Sequence, residues 1–150
     1  MPFKVRQEIK GRVQAYVAGL GGIDQITVEK ILDNGDLLEA FRSFCKAEHS
    51  EENILFLHSV RAFKQSDAKG KTAYQIRKQY LGPNAKKPVN LRGPTLVAWK
   101  KRYDEVVDVA NEEGMSVEKT IFDAFYNEIA IMLDMDTVKR FGKELPQALE

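Results

Sequence analysis

The 150-residue sequence contains a single cysteine, Cys45. A disulfide within the chain is therefore impossible, as is a zinc site built from several thiolates, and both absences suit a reducing compartment. Histidine is nearly as scarce. His49 and His58 lack the His-x-x-x-His or Glu-x-x-His spacing that brings two ligands onto one helix face, so neither suggests a metal centre. No apolar run approaches the roughly eighteen residues of a membrane span. The opening MPFKVRQEIKGRV carries charge where a signal peptide needs an apolar stretch, so a soluble, intracellular protein is expected. Alternating apolar and polar runs bounded by hairpin turns are also missing, which removes the usual signature of strands.

A net charge of one sign is lacking too, since 23 Lys and Arg stand against 22 Asp and Glu. The balance hides an asymmetry. From Arg61 to Arg102 there are twelve basic residues and one acid, Asp67, whereas from Tyr103 to Asp136 there are ten acids and one base, Lys119. Such a dipole steers charged partners and leaves the fold unaffected. It makes an anionic membrane one expected contact of the 61–102 stretch. Nucleic acid is disfavoured, because no base-reading motif accompanies the charge.

What is present is helical spacing. Val5, Ile9, Val13, Val17 and Leu20 form one stripe that stops at Gly19, Gly21 and Gly22. A short helix is expected from about Thr27 to Asp33, followed by one capped by Asp36 that carries Leu37, Ala40, Phe41, Phe44 and Cys45 on one side. Ser50 reads as a further cap, with Glu51 and Glu52 in the first turn of a core helix bearing Ile54, Leu55, Phe56, Leu57, Val60 and Phe63. A segment from about Asp67 to Tyr80 is ended by Gly82-Pro83, and Asn84 to Pro94 is a loop rich in Pro, Gly and Asn. A long helix through Trp99 ends before Gly114. Ser116 is expected to cap the next, and Asp136 or Thr137 to start a final turn through Phe141. The reading is an all-α, bundle-like single domain of about eight or nine helices covering residues 1–150, with its first helix at about 3–19.

Chemistry of its own is hard to find in this chain. Gly19-Leu20-Gly21-Gly22 follows a helix and not a strand, so it is a helix stop and not a nucleotide loop. Cys45 lies on an apolar helix face, where a thiol is inert. Asp134 and Asp136 are two apart and diverge on a helix, as do the adjacent Glu51 and Glu52. No active site, cofactor or metal is expected.

The informative stretch is FRSFCKAEHSEENILFL, Phe41 to Leu57. Val89-Asn90-Leu91 follows it in the central loop, and FDAFYNEIAIMLDMDTVKRF follows from Phe122. Together these resemble the regulator of G-protein signalling (RGS) domain family. That family has a Phe-rich helix, Ser-Glu-Glu-Asn-Ile, a Val-Asn-Leu loop, a Phe-Asp opening and a closing Asp-x-x-x-Arg-Phe. The likeness runs over about residues 26–145. It implies an RGS-like helical bundle and a GTPase-activating task. Such a domain binds the GTP-bound α subunit of a heterotrimeric G protein, steadies its switch loops and speeds hydrolysis without adding a catalytic group. That would end signalling at the inner face of the plasma membrane.

Carried over by motif, the resemblance implies a switch-binding face of Ser50, Glu52, Asn53, Asn90, Met132, Asp136 and Arg140, with His49 and Thr137 on its rim. Each has a plainer alternative. Ser50 can simply cap a helix, Asn90 can relieve a tight loop, Asp136 and Arg140 can pair four apart, and Met132 can fill core. The chain also departs from the family's pattern. Leu57 stands where a tryptophan is usual, Arg92 where an acid is common, Phe125-Tyr126 where Ala-Gln is common, and the connection from Asn90 to Phe122 is long. These departures leave a second expectation, a scaffold of the same fold that binds a protein partner or anionic membrane without activating it.

Overall fold

The computed structural model describes residues 3–82 and 84–150. Its elements are α1 (Gln7–Leu20), α2 (Val28–Leu32), α3 (Gly35–Ala47), α4 (Glu52–Gln65), α5 (Gly70–Tyr80), α6 (Gly93–Glu113), α7 (Asp123–Met132) and α8 (Val138–Ala148), and no strand is found among the described residues. The all-α expectation holds. A π-helical turn, Leu133–Thr137, joins α7 to α8 without a break, so eight α-helical segments make seven rods. The chain packs as two compact units, residues 1–51 with 130–150 and residues 52–129.

In the first unit Ile9, Val13 and Val17 of the stripe read from the sequence form the buried face of α1, which starts at Gln7 and not near residue 3. Val5 is buried ahead of it and Leu20 is half-buried. Gly21 ends the helix in the left-handed region at φ 104°, donating to Ala18, while the next amide reaches the Val17 carbonyl. Thr27 caps α2 by accepting from the Lys30 amide. α3 corrects the reading of its start. Asn34 is the cap, its Oδ1 accepting from the Leu37 amide at 3.0 Å. Asp36, expected there, lies one residue inside α3 and binds Arg12 at 2.7 and 3.2 Å. The core is aromatic. Phe141 lies 5.1 Å from Phe41, 5.7 Å from Phe44 and 5.6 Å from Phe3 between ring centroids. Rings at these separations hold each other through edge and offset contacts beyond their area burial.

In the second unit α4 is indeed a core helix, burying Ile54, Phe56, Leu57, Val60 and Phe63. Trp99 lies near-parallel to Phe122 at 6.0 Å and packs on Phe125 at 5.4 Å, while its indole N–H donates to the Ile121 carbonyl at 3.0 Å. α5 starts at Gly70, three residues later than expected. There the chain pairs with residues 115–117 instead: the Gly70 amide donates to the Met115 carbonyl and the Val117 amide to the Ala68 carbonyl, each at 2.7 Å. The same pairing explains why Ser116 caps no helix. Its segment is held extended against residues 68–70, and α7 begins only at Asp123. Pro83, expected with Gly82 to stop α5, lies outside the described residues. Leu81 is already extended, so α5 ends at Tyr80. The last expectation to fall is the final turn at Asp136. Residues 133–137 stay helical, and α8 runs through Pro146 to Ala148.

Candidate functional site

The residues singled out by motif divide between the two units. In the first are His49, Ser50, Met132, Asp136, Thr137 and Arg140. Arg140, on the first turn of α8, is the best-held of them. Its Nε and Nη2 donate to the two carboxylate oxygens of Asp136 at 3.1 and 3.2 Å, its Nη1 donates to Glu48, and its guanidinium lies 5.8 Å from the Phe44 ring centroid. Three of the five N–H donors are thereby used within the unit. Hydrogen bonds from Arg140 hold the Asp136 carboxyl below its ordinary value, and the two carboxylates together raise the guanidinium still further above neutrality. The side chain is a fixed cation at any physiological pH, with 41% of its surface open.

The two aspartates, two apart within the π turn, diverge as helical spacing requires. Asp136 faces Arg140, whereas Asp134 turns inward and accepts from the Val28 amide at the start of α2, 2.8 Å away. His49 is exposed on the α3–α4 connection with φ 56°, a left-handed conformation that histidine enters more readily than most residues. Ser50 follows it, half-buried, its amide and hydroxyl both donating to the Cys45 carbonyl, at 2.9 and 3.4 Å, near the end of α3. Met132, just before the π turn, and Thr137, its last residue, are half-buried.

The second unit holds Glu52, Asn53 and Asn90. Asn53 is the one buried polar side chain among the described residues, 3% exposed, and its Oδ1 accepts from the Asn90 amide at 3.3 Å. The motif suggested a contact residue. Asn53 is instead placed inside, as the internal acceptor for the loop that carries Asn90. Asn90 itself is exposed between buried Val89, whose amide is tied to Tyr80, and Leu91. Glu52 is half-buried in the first turn of α4.

Two carboxylates that the sequence reading passed over complete these arrangements. Glu48 is the second acceptor for Arg140, and Glu128 on α7 binds both the amide and the side chain of Arg92. Burial opposes the charge on Glu128. Hydrogen bonds from the Arg92 amide, the Thr95 hydroxyl and the Arg92 side chain overcome that effect and hold its carboxyl below the ordinary value. The charge reversal at Arg92 is thus answered within the unit. Two other departures prove to be core: Leu57 and Phe125 are fully buried. The basic stretch is also less free than its composition suggests, since Lys64, Arg77, Arg92 and Lys100 are committed to Asp123, Asp104, Asp108 and Glu128. Among the described residues no cluster of His, Cys, Asp and Glu could hold a metal ion, and no helix is long and apolar enough to cross a membrane.

Comparison with known proteins agrees with the motifs. The model of the regulator of G protein signaling domain matches residues 27–145. The chain is 27% identical to Regulator of G-protein signaling 5 of Bos taurus over 118 residues, covering 77% of this chain and 59% of that protein. It is 26% identical to Regulator of G-protein signaling 1 of Xenopus laevis over 121 residues, covering 79% and 55%. A shorter match, 31% identical over 77 residues, is to Regulator of G-protein signaling 10 of Rattus norvegicus, covering 49% and 42%. The chain spans about half the length of these relatives. With a helical fold, three motifs in family order and a family match over most of its length, the chain belongs to the regulator of G-protein signalling domain family.

Proposed function

We propose that this chain binds the GTP-bound α subunit of a heterotrimeric G protein and accelerates its hydrolysis of GTP. It does so by holding the switch loops in their reactive arrangement. The observation that carries the reading is Asn90, an exposed amide side chain on a loop whose backbone is fastened from inside by Asn53. An activator that brings no catalytic group must present polar groups already in place, because only interactions stronger in the transition state than in the ground state raise the rate. Each factor of ten corresponds to about 1.4 kcal/mol of such differential binding. Two or three well-placed hydrogen bonds to switch-loop backbone are enough for a large effect.

In this reading Asn90 meets the region of the α subunit that orients the attacking water, and Arg140 offers its remaining donors to a second switch segment. Ser50, Glu52, Met132 and Asp136 complete the contact, with His49 and Thr137 at its margin. Asn53 acts from beneath, by seating Asn90. The protein works in the cytoplasm, meeting its partner at the inner face of the plasma membrane. Charge on the 61–102 stretch not committed to internal pairs adds weak, salt-sensitive attraction there.

Single-turnover hydrolysis of GTP preloaded on purified α subunits of several classes, with and without the chain, tests the proposal. Acceleration with at least one class, lost in Asn90→Ala, is expected. Binding without acceleration in every class would refute the activating role and leave a scaffold.

A further inference from the structure

α6 begins in an unusual way. Its N-cap position is held by Arg92, followed by Gly93 and Pro94, and no side-chain bond caps the helix. A guanidinium has five donors and no acceptor, so it cannot take a bond from the first-turn amides as Asp, Asn, Ser or Thr does. An acceptor for the N-cap amide itself comes from another helix. Glu128 on α7 accepts from the Arg92 amide at 2.7 Å and from the Thr95 hydroxyl at 2.8 Å, with the Arg92 Nε at 3.2 Å. In an ordinary capping box the third helical residue reaches back to the N-cap amide. Here that residue is Thr95, whose hydroxyl donates to the same carboxylate. The Glu128 side chain is 16% exposed and that of Arg92 is 81% exposed, so the carboxylate is the fixed partner and the guanidinium the loose one.

Asn90 lies two residues before this cap, and its own amide is seated on Asn53. The loop is thus pinned at residue 90 from α4 and at residue 92 from α7. We propose that Glu128 is a positioning residue, a cap supplied through space that fixes the 90–92 backbone and with it the direction of the Asn90 side chain. The inference deepens the activating reading and rests on it for its consequence, though not for its geometry. Carboxylate is the right chemistry for the task. It is acceptor-only, it accepts from amide, hydroxyl and guanidinium at once, and it sits at the positive end of the α6 dipole.

Four variants of the full chain test it: Glu128→Ala, Glu128→Gln, Arg92→Asp, and Arg92→Asp combined with Glu128→Ala. One measurement needs no partner, the hydrogen exchange of the Asn90 amide with α4 amides as an internal reference. The other is single-turnover GTP hydrolysis by a responsive α subunit. Glu128→Ala is expected to speed Asn90 exchange about tenfold or more at unchanged α4 protection, and to lower acceleration by a similar factor. Glu128→Gln keeps one acceptor oxygen and the shape, and should stay within about threefold of the parent. In the double variant the introduced aspartate can accept from the Thr95 amide as a local cap, which should recover most of both losses. Arg92→Asp alone sets two carboxylates together and should loosen the loop. The proposal is overturned if Glu128→Ala leaves Asn90 exchange unchanged, or if the double variant is no better than Glu128→Ala. Should the parent chain accelerate no α subunit, the functional reading fails, while the exchange pattern still decides whether Glu128 positions Asn90.

Discussion

Asn53→Ala separates an internal role from a contact role at a residue that the family motif places on the binding face. The carboxamide is 3% exposed and accepts from the Asn90 amide at 3.3 Å, a separation at the long end for such a bond. Truncation removes a hydrogen bond whose net contribution is about 0.5–1.5 kcal/mol. The emptied space adds a cavity cost of about 1 kcal/mol. A loss of roughly 1–3 kcal/mol follows, which for a chain of this size corresponds to a fall in melting temperature of about 2–12 °C. Urea unfolding followed by the fluorescence of Trp99, the sole tryptophan, reads the change directly. Asn90→Ala should shift stability by no more than about 0.5 kcal/mol, because its side chain is exposed, yet reduce the acceleration of GTP hydrolysis severely. The reasoning is refuted if Asn53→Ala abolishes acceleration at parental stability, for then the side chain meets the partner itself. Equal destabilisation by the two variants would refute it from the other side.

Three further outcomes are expected. Gly70→Ala should destabilise by about 1–3 kcal/mol in chemical unfolding, since a Cβ there would meet the carbonyl carbon of Ala110 at 2.5 Å and the α5–α6 approach would have to open. Arg140→Lys should cost under about 1 kcal/mol of stability, because the pair is largely exposed. The same change should weaken partner association about tenfold in a binding titration, because an ammonium cannot reproduce the forked geometry. Acid should destabilise in a defined sense. The carboxyls of Asp36, Glu39, Glu128 and Asp136 are held below their ordinary values, so their contribution is complete above the ordinary carboxyl range and is lost as pH falls through the lowered values, below roughly pH 4. Glu128→Gln should flatten part of that acid limb in melting temperature against pH, and an unchanged limb would discount the Glu128 cluster.

Elements with a strong local signal were legible in the sequence. The α1 stripe, the glycine stop after it, the short helix from about Thr27 and the run of apolar residues through α4 each follow from neighbours within a few positions. What could not be read depends on partners far along the chain. The helical spacing begins at Val117, but residues 115–117 are claimed by backbone pairing with residues 68–70 and the next few form turns, and no local pattern reports that competition. Asn34 and Asp36 are both good caps two residues apart, and Arg12 settles the matter by taking the second. The site follows the same division. Asn53 was carried over by motif to the binding face and is buried, because a motif does not say which of its members face inward. Glu48 and Glu128 lie within the quoted stretches but at positions that the motifs do not specify. One signal was available: a helix start reading Arg-Gly-Pro offers no acceptor of its own, which implies one from elsewhere.

The Arg140 side chain and the Asn90 backbone are restrained by the same device in separate units, an acceptor belonging to the chain itself. The bonds themselves contribute modestly to folding, since exposed ion pairs are worth about 0–1 kcal/mol and a neutral hydrogen bond about 0.5–1.5 kcal/mol. In the activating reading proposed above, their effect lies in association. Ordering a mobile side chain at an interface costs about 0.5–1.5 kcal/mol, and a residue already held by its own chain has met that cost before the partner arrives. In that reading, an activator that adds no catalytic group works through the free-energy difference between gripping loops in one arrangement and in all the others. That difference is largest when the gripping atoms do not move. Removing an internal acceptor should therefore weaken activation more than it weakens folding, and removing a contacting side chain should spare folding altogether. Substitution in the aromatic core around Phe141 or Trp99 should show the reverse order.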